Sequence, residues 1–319
     1  MYKHKMNRRH FLQVVGGGLL LSSPLGALGC AASQNTAQEN DELYTSRHVT
    51  EPGSFTDGAE GPAVDEKGNL YAVNFARQHT IGRVTPDGEA SLFVELPGDS
   101  IGNGIRFNRD GEMLVADYVN HNILKVNMKT RKISTYAHEP AMNQPNDIAI
   151  GANDVLYASD PNWSESTGQL WRIDTGGTIT LLEKDMGTTN GVEVSPDENT
   201  LYVNESVQRV VWAYDLSEQG EISNKRRFIS FDDYGMDGMR CDVDGNLYLT
   251  RHGKGVVAKI SPRGELMREI PMVEGKSTTN LAFGGPDGRT VYVTVADTGN
   301  IQSFRVDKPG RSWKLKTER

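Results

Sequence analysis

Thr189-Asn190-Gly191-Val192-Glu193-Val194-Ser195-Pro196-Asp197-Glu198-Asn199-Thr200-Leu201-Tyr202-Val203-Asn204 holds the pattern that decides the fold. A small polar dyad, Asn190-Gly191, precedes an apolar residue. A turn rich in Ser, Pro, Asp and Asn follows at 195–199, then a β-prone run opens on Leu201-Tyr202. Such turns favour Asp, Asn and Gly, which tolerate left-handed or side-chain-bonded backbone. A third β-prone run covers 210–214. Moving outward, the same unit starts at Glu60-Gly61-Pro62, Asn103-Gly104-Ile105, Asn146-Asp147-Ile148, Asp237-Gly238-Met239 and Asn280-Leu281-Ala282. Successive starts are 43, 43, 44, 47 and 43 residues apart. The matching second strands read Leu70-Tyr71-Ala72-Val73, Met113-Leu114-Val115-Ala116, Leu156-Tyr157-Ala158-Ser159, Leu247-Tyr248-Leu249-Thr250 and Val291-Tyr292-Val293-Thr294.

Four short strands in each unit of this length is the spacing of propeller blades. Parallel βαβ units would need amphipathic helical runs between strands, and none is found. The expectation is an all-β, six-bladed β-propeller over residues 44–319. The outer strand of the last blade comes either from 44–49 or from 311–315, and the pattern leaves both open.

Equivalent positions in the blades occupy equivalent places around the axis. The first position of each unit is Glu60, Asn103, Asn146, Asn190, Asp237 and Asn280. All six are carboxylates or carboxamides, placed just before the innermost strand, where side chains converge on one mouth of the channel. Six oxygen donors with two negative charges suit a hard divalent cation. Calcium accepts six to eight oxygens in loose geometry, whereas zinc prefers His or Cys, which the ring lacks. Turn chemistry explains an Asn or Asp in one blade but gives no reason for Glu60 before Gly61-Pro62.

The chain has 319 residues, 37% hydrophobic and 24% charged, with a formal net charge of -8. The first thirty residues carry Lys3, Lys5, Arg8 and Arg9 and no acid; the remaining 30 basic and 42 acidic residues bring the rest near -12. That balance argues against nucleic-acid binding, which needs Lys and Arg against phosphates. Residues 7–13, Asn-Arg-Arg-His-Phe-Leu-Gln, look like a twin-arginine export signal, followed by a short apolar stretch too weak to span a membrane. Cys30 after Leu28-Gly29 resembles a lipoprotein cleavage site. The expected organisation is a signal over 1–30, a polar linker over 31–43, and a periplasmic or lipid-anchored propeller. The oligomeric state is left open. The two cysteines, Cys30 and Cys241, form no CxxC pair, and Cys241 is expected as a buried thiol.

Glu60-Gly61-Pro62, Gln144-Pro145-Asn146-Asp147, Thr189-Asn190-Gly191-Val192, Asp237-Gly238-Met239-Arg240 and Thr278-Thr279-Asn280-Leu281-Ala282-Phe283-Gly284-Gly285 together resemble the gluconolactonase family that includes regucalcin (SMP-30), over residues 55–306. The resemblance implies a divalent ion, most often calcium, with Zn, Mg or Mn as alternatives, held by Glu60, Asn146, Asn190 and Asp237. It implies hydrolysis of lactones, with Asp237 as base and Asp147 as a second candidate. Asn103, Asn146, Gln144 and Asn280 are then substrate contacts. Sugar-lactonase members commonly carry Arg where Gln144 stands, so gluconolactone itself is not a firm expectation. Related six-bladed enzymes hydrolyse other esters, including phosphoesters. The rival class is a non-catalytic ligand- or protein-binding propeller with a structural ion.

Three further features have blander readings. Gly98-Asp99-Ser100-Ile101-Gly102 spells G-x-S-x-G, but a nucleophile elbow needs a strand before the serine and a helix after it. His252, after a second strand, is expected on a surface loop. Trp163 and Trp171 flank a Ser-rich loop that either roofs the site or packs the outer blade.

Overall fold

In the computed structural model, residues 43–317 are described. The expected signal, Cys30 and nearly all of the linker lie outside them. Twenty-four strands form six four-stranded antiparallel sheets. Five sheets run in simple sequence order from inner to outer strand. The inner strands are Phe55–Val64, Gly102–Phe107, Ile148–Ile150, Thr189–Val194, Met239–Cys241 and Thr278–Gly284. The sixth sheet ends the ring differently. Its outer strand is Arg47–His48, which pairs with Asn300–Arg305 through Arg47↔Ser303 and His48↔Gln302. The N-terminal segment therefore closes the ring. The other candidate, 311–315, falls in a helix, α1, Arg311–Thr317.

Every second strand is sandwiched between two neighbouring blades, so its apolar residues are buried on both faces, and alternation decides which neighbour each one meets. Tyr71 and Val73 pack toward blade 2, in one cluster with Ile105, Met113 and Val115. Leu70 and Ala72 pack toward blade 6, with Ala282 and Ile301. The same division recurs at Leu201 and Val203 against Tyr202. Six such clusters, one between each adjacent pair of blades, complete the circle. Each fully buried Val, Leu or Ile contributes about 1.5–3 kcal/mol. Outer strands are the reverse: Ile222–Ser230 is largely exposed and carries Lys225, Arg226 and Arg227, charges that discourage edge-to-edge pairing. Among the described residues, no helix is long and apolar enough to cross a membrane.

Candidate metal centre and its cavity

The polar dyads have a steric reason. A Cβ on Gly61 would run into the Asn103 carbonyl, one on Gly191 into the Asp237 carbonyl, and one on Gly238 into the Asn280 side chain. Gly61 also has φ +56, a left-handed value that glycine adopts without strain. Adjacent inner strands thus approach most closely just beyond the first dyad residue. Glycine permits that approach, and the residue before it is left at the channel mouth.

There, a cavity of about 820 Å³ opens. Glu60, Asn103, Asn146, Asn190 and Asp237 all line it, and three of them, Glu60, Asn146 and Asn190, are almost fully buried. Its upper wall includes Gln78, Tyr118, Trp163, Arg209, Tyr234 and His252. Three carboxamide oxygens at this floor, Asn103 Oδ1, Asn146 Oδ1 and Asn190 Oδ1, are buried and accept no hydrogen bond. Buried acceptors are rarely left unpaired, because each costs about 1–3 kcal/mol. Burial, with the Asp147 charge next, pushes the Glu60 carboxyl up to about 7; the Gly61 amide, donating to Glu60 Oε2 at 2.6 Å, works against this. Burial, then Glu60 and Asp147, raise Asp237 well above the ordinary carboxylate range. Two repelling carboxylates beside three unpaired oxygens are a donor set that fits one hard divalent cation. Among the described residues, no group of three or more His, Cys, Asp or Glu gathers elsewhere to offer a softer or more acidic site.

The sixth ring residue differs. Asn280 Oδ1 accepts from the Leu281 amide at 2.9 Å, leaving Nδ2 as its remaining group. That Nδ2 is buried with no hydrogen-bond partner, so Asn280 presents a donor, not an oxygen. It does not line the cavity.

The structure does not bring Asp147 or Gln144 to the cavity either. Asp147 is fully buried beneath the ring. Its Oδ2 accepts from Arg240 Nη1 at 3.1 Å, and its Oδ1 accepts from the Ile148 amide at 2.9 Å. Arg106 Nη2 lies 3.4 Å from the same Oδ1. A carboxylate so held does not line the cavity, unlike Asp237. Gln144 sits on the blade 3 approach loop, its amide donating to Asp160 Oδ1 at 2.6 Å.

His252 and Trp163 line the cavity; His252 stands exposed in the turn after Leu247–Arg251, as the surface-loop expectation had it, and that turn borders the cavity. The protein packed around His252 lowers its pKa, so burial favours the neutral ring. Trp171 is separate: it is buried and donates to Asp160 Oδ2 at 2.9 Å. Ser100 is buried, its Oγ donating to Asp117 Oδ2 at 2.8 Å, and the strand Gly102–Phe107 follows it, so no nucleophile elbow exists.

One set of supporting residues escaped the sequence reading. The last residue of the Leu-Tyr run in blades 3 to 6 is polar and fully buried: Ser159, Asn204, Thr250 and Thr294. Each pins main chain beside a ring residue. The Asp147 amide donates to Ser159 Oγ at 3.0 Å, and Asn204 Nδ2 donates to the Asp237 carbonyl at 2.6 Å. Thr250 Oγ1 faces the Gly238 and Thr279 carbonyls at 2.9 and 2.7 Å. The Asn280 amide donates to Thr294 Oγ1 at 3.1 Å. A polar residue ending an otherwise apolar buried strand was the available signal.

The relatives agree with this geometry. The family model described as SMP-30/Gluconolactonase/LRE-like region matches residues 58–297. A gluconolactonase of Zymomonas mobilis is 27% identical over 273 residues, covering 75% of this chain and 76% of that protein. A pentonolactonase of Haloferax volcanii is 32% identical over 245 residues, covering 74% and 81%. The calcium-binding protein regucalcin from Agrobacterium tumefaciens superimposes with a TM-score of 0.74 at 21% identity, over 83% of this chain and 95% of that one, a likeness of fold. With the family model spanning most of the propeller, the chain belongs to the SMP-30/gluconolactonase/LRE-like family.

Proposed function

We propose that this chain is a divalent-cation-dependent lactone hydrolase, with calcium as the favoured ion. The observation that carries the reading is the floor of the cavity, where three unpaired carboxamide oxygens meet two carboxylates. Glu60, Asn146, Asn190 and Asp237 would hold the ion, with Asn103 beside them. A bound divalent cation supplies electrophilic polarisation of an ester carbonyl. Asp237 would take a proton from the attacking water and return it to the ring oxygen as the C–O bond breaks, which yields the hydroxy acid. Asn103 Oδ1, which lacks a hydrogen-bond partner, would accept from a substrate hydroxyl. Tyr118, Trp163 and Tyr234 offer apolar faces for a sugar ring, above a polar floor. The relatives named for gluconolactone and pentonolactone hydrolysis support this substrate class. The twin-arginine-like leader supports action after export, in the periplasm or at the membrane.

The test is base consumption in a pH-stat with a panel of aldono-1,5-, aldono-1,4- and aliphatic lactones, after chelation and after adding calcium back. Turnover that needs the added ion supports the reading. A folded protein with bound calcium that hydrolyses no lactone contradicts it and favours the binding class.

A further inference from the structure

Below the oxygen ring the channel carries a second layer, set by the same repeat. Three residues after each ring position stand Ala63, Arg106, Ala149, Glu193, Arg240 and Phe283. Two arginines and a glutamate therefore face one another across the axis. Helix α1 contributes a third arginine from below: Arg311 Nη1 donates to the Ile150 carbonyl at 3.0 Å and to Glu193 Oε1 at 3.3 Å. Arg106, Arg240 and Arg311 are 8%, 5% and 4% exposed. Together with Ile105, Ile150 and Glu193 they line a cavity of about 60 Å³.

Arg240 Nη2 and Arg311 Nε are buried with no hydrogen-bond partner, and Arg106 Nη2 has only its 3.4 Å ion-pair contact with Asp147 Oδ1. Two buried carboxylates, Asp147 and Glu193, oppose the three cations. Glu198 also pairs with Arg311, but from the partly exposed side. Within the buried layer alone, with the partly exposed Glu198 set aside, three cations face two carboxylates. Burial, and next the Arg240 charge, press the Arg106 pKa down to about 10. A buried cation with an idle donor is costly, and two such donors beside a third buried guanidinium around one cavity call for an acceptor.

We propose that this cavity binds one small monovalent anion of the halide class, chloride in the cell, between Arg106, Arg240 and Arg311. The volume suits a single such ion. The charge balance calls for one negative charge, and every free group around the cavity is a donor. The anion ties blades 2 and 5 to the C-terminal helix, at the end of the channel opposite the oxygen ring. It is independent of the lactonase reading.

Crystals of the full chain grown in sodium bromide, measured at the bromine absorption edge, test this directly. A single anomalous peak among the three guanidiniums is expected. In parallel, thermal melts at constant ionic strength compare sodium chloride with sodium methanesulfonate, after long exchange. Chloride is expected to raise Tm in a saturable way, by about 2–6 °C. Arg311→Leu and Arg106→Leu should each remove that dependence. The bromide peak in the unmodified protein keeps the test decisive if either variant fails to fold. Water density with no anomalous signal overturns the proposal. A peak without any halide dependence of Tm marks an adventitious ion and overturns it equally.

Discussion

Asn204, the last residue of the second strand of blade 4, donates its Nδ2 to the main-chain carbonyl of Asp237 in blade 5 at 2.6 Å. Asn204 is fully buried, and its bond crosses the blade boundary at the residue proposed as base. Asn204→Ala leaves that carbonyl unpaired, a loss of about 1–3 kcal/mol, and frees Asp237 to shift. The expected outcome is weaker calcium binding and a fall in kcat of about tenfold or more with little change in KM. Calorimetry and steady-state kinetics check it; unchanged values for both contradict the positioning role.

The dyad glycines should be irreplaceable where a Cβ meets main chain. Gly191→Ala drives a methyl into the Asp237 carbonyl, whereas Gly176→Ala meets nothing within 4 Å. Gly191→Ala is expected to lower Tm and abolish calcium binding. Gly176→Ala is expected to be neutral, or to stabilise by about 0.4–1 kcal/mol through the unfolded chain. Melting curves of the two variants, compared side by side, decide the matter.

Chelated protein should lose stability as pH rises. Glu60 binds its proton more tightly folded than unfolded, so its contribution is intact below 4.5 and is lost as pH climbs to about 7. From Glu60 alone this is on the order of 3 kcal/mol, and Asp237, also raised by burial, adds to the loss in the same direction. Calcium should offset both carboxylates, so its stabilisation grows across the same window. Melts from pH 4.5 to 8, with chelator and with calcium, should diverge. Parallel curves contradict the assignment.

Arg311 holds the far end of the channel. Arg311→Ala strands Glu193, which is 5% exposed at its side chain and set 3.9 Å from Arg240 Nε. Breaking a buried pair from one side costs about 3–5 kcal/mol, or roughly 6–15 °C of Tm at this size. Turnover at 25 °C should survive, because the oxygen ring lies at the other mouth. A Tm unchanged by the substitution contradicts the structural role of α1.

The blade repeat and the oxygen ring were legible because both recur at one position per unit, and recurrence averages out local noise. What was not legible depends on direction, not identity. Asp147 follows a ring residue directly, so it carries the same chemistry in the sequence, yet the pleat turns it beneath the ring toward Arg106 and Arg240. The closing strand was ambiguous because its regular part, Arg47–His48, is too short a run for any pattern. The second layer at Arg106, Glu193 and Arg240 obeys the same repeat but mixes Ala, Phe, Arg and Glu, so no composition marks it. His252 stands in the turn after Leu247–Arg251 and borders the cavity, a proximity that no sequence spacing marks.

The most direct measurement of the central claim is calcium-dependent hydrolysis of the best lactone by the wild-type chain and by Asp237→Asn, with bound calcium determined in the same samples. The account predicts turnover that chelation abolishes and calcium restores in the wild type, and a loss of at least a hundredfold in the variant. Turnover that persists in chelator, or in Asp237→Asn at the wild-type rate, would contradict it.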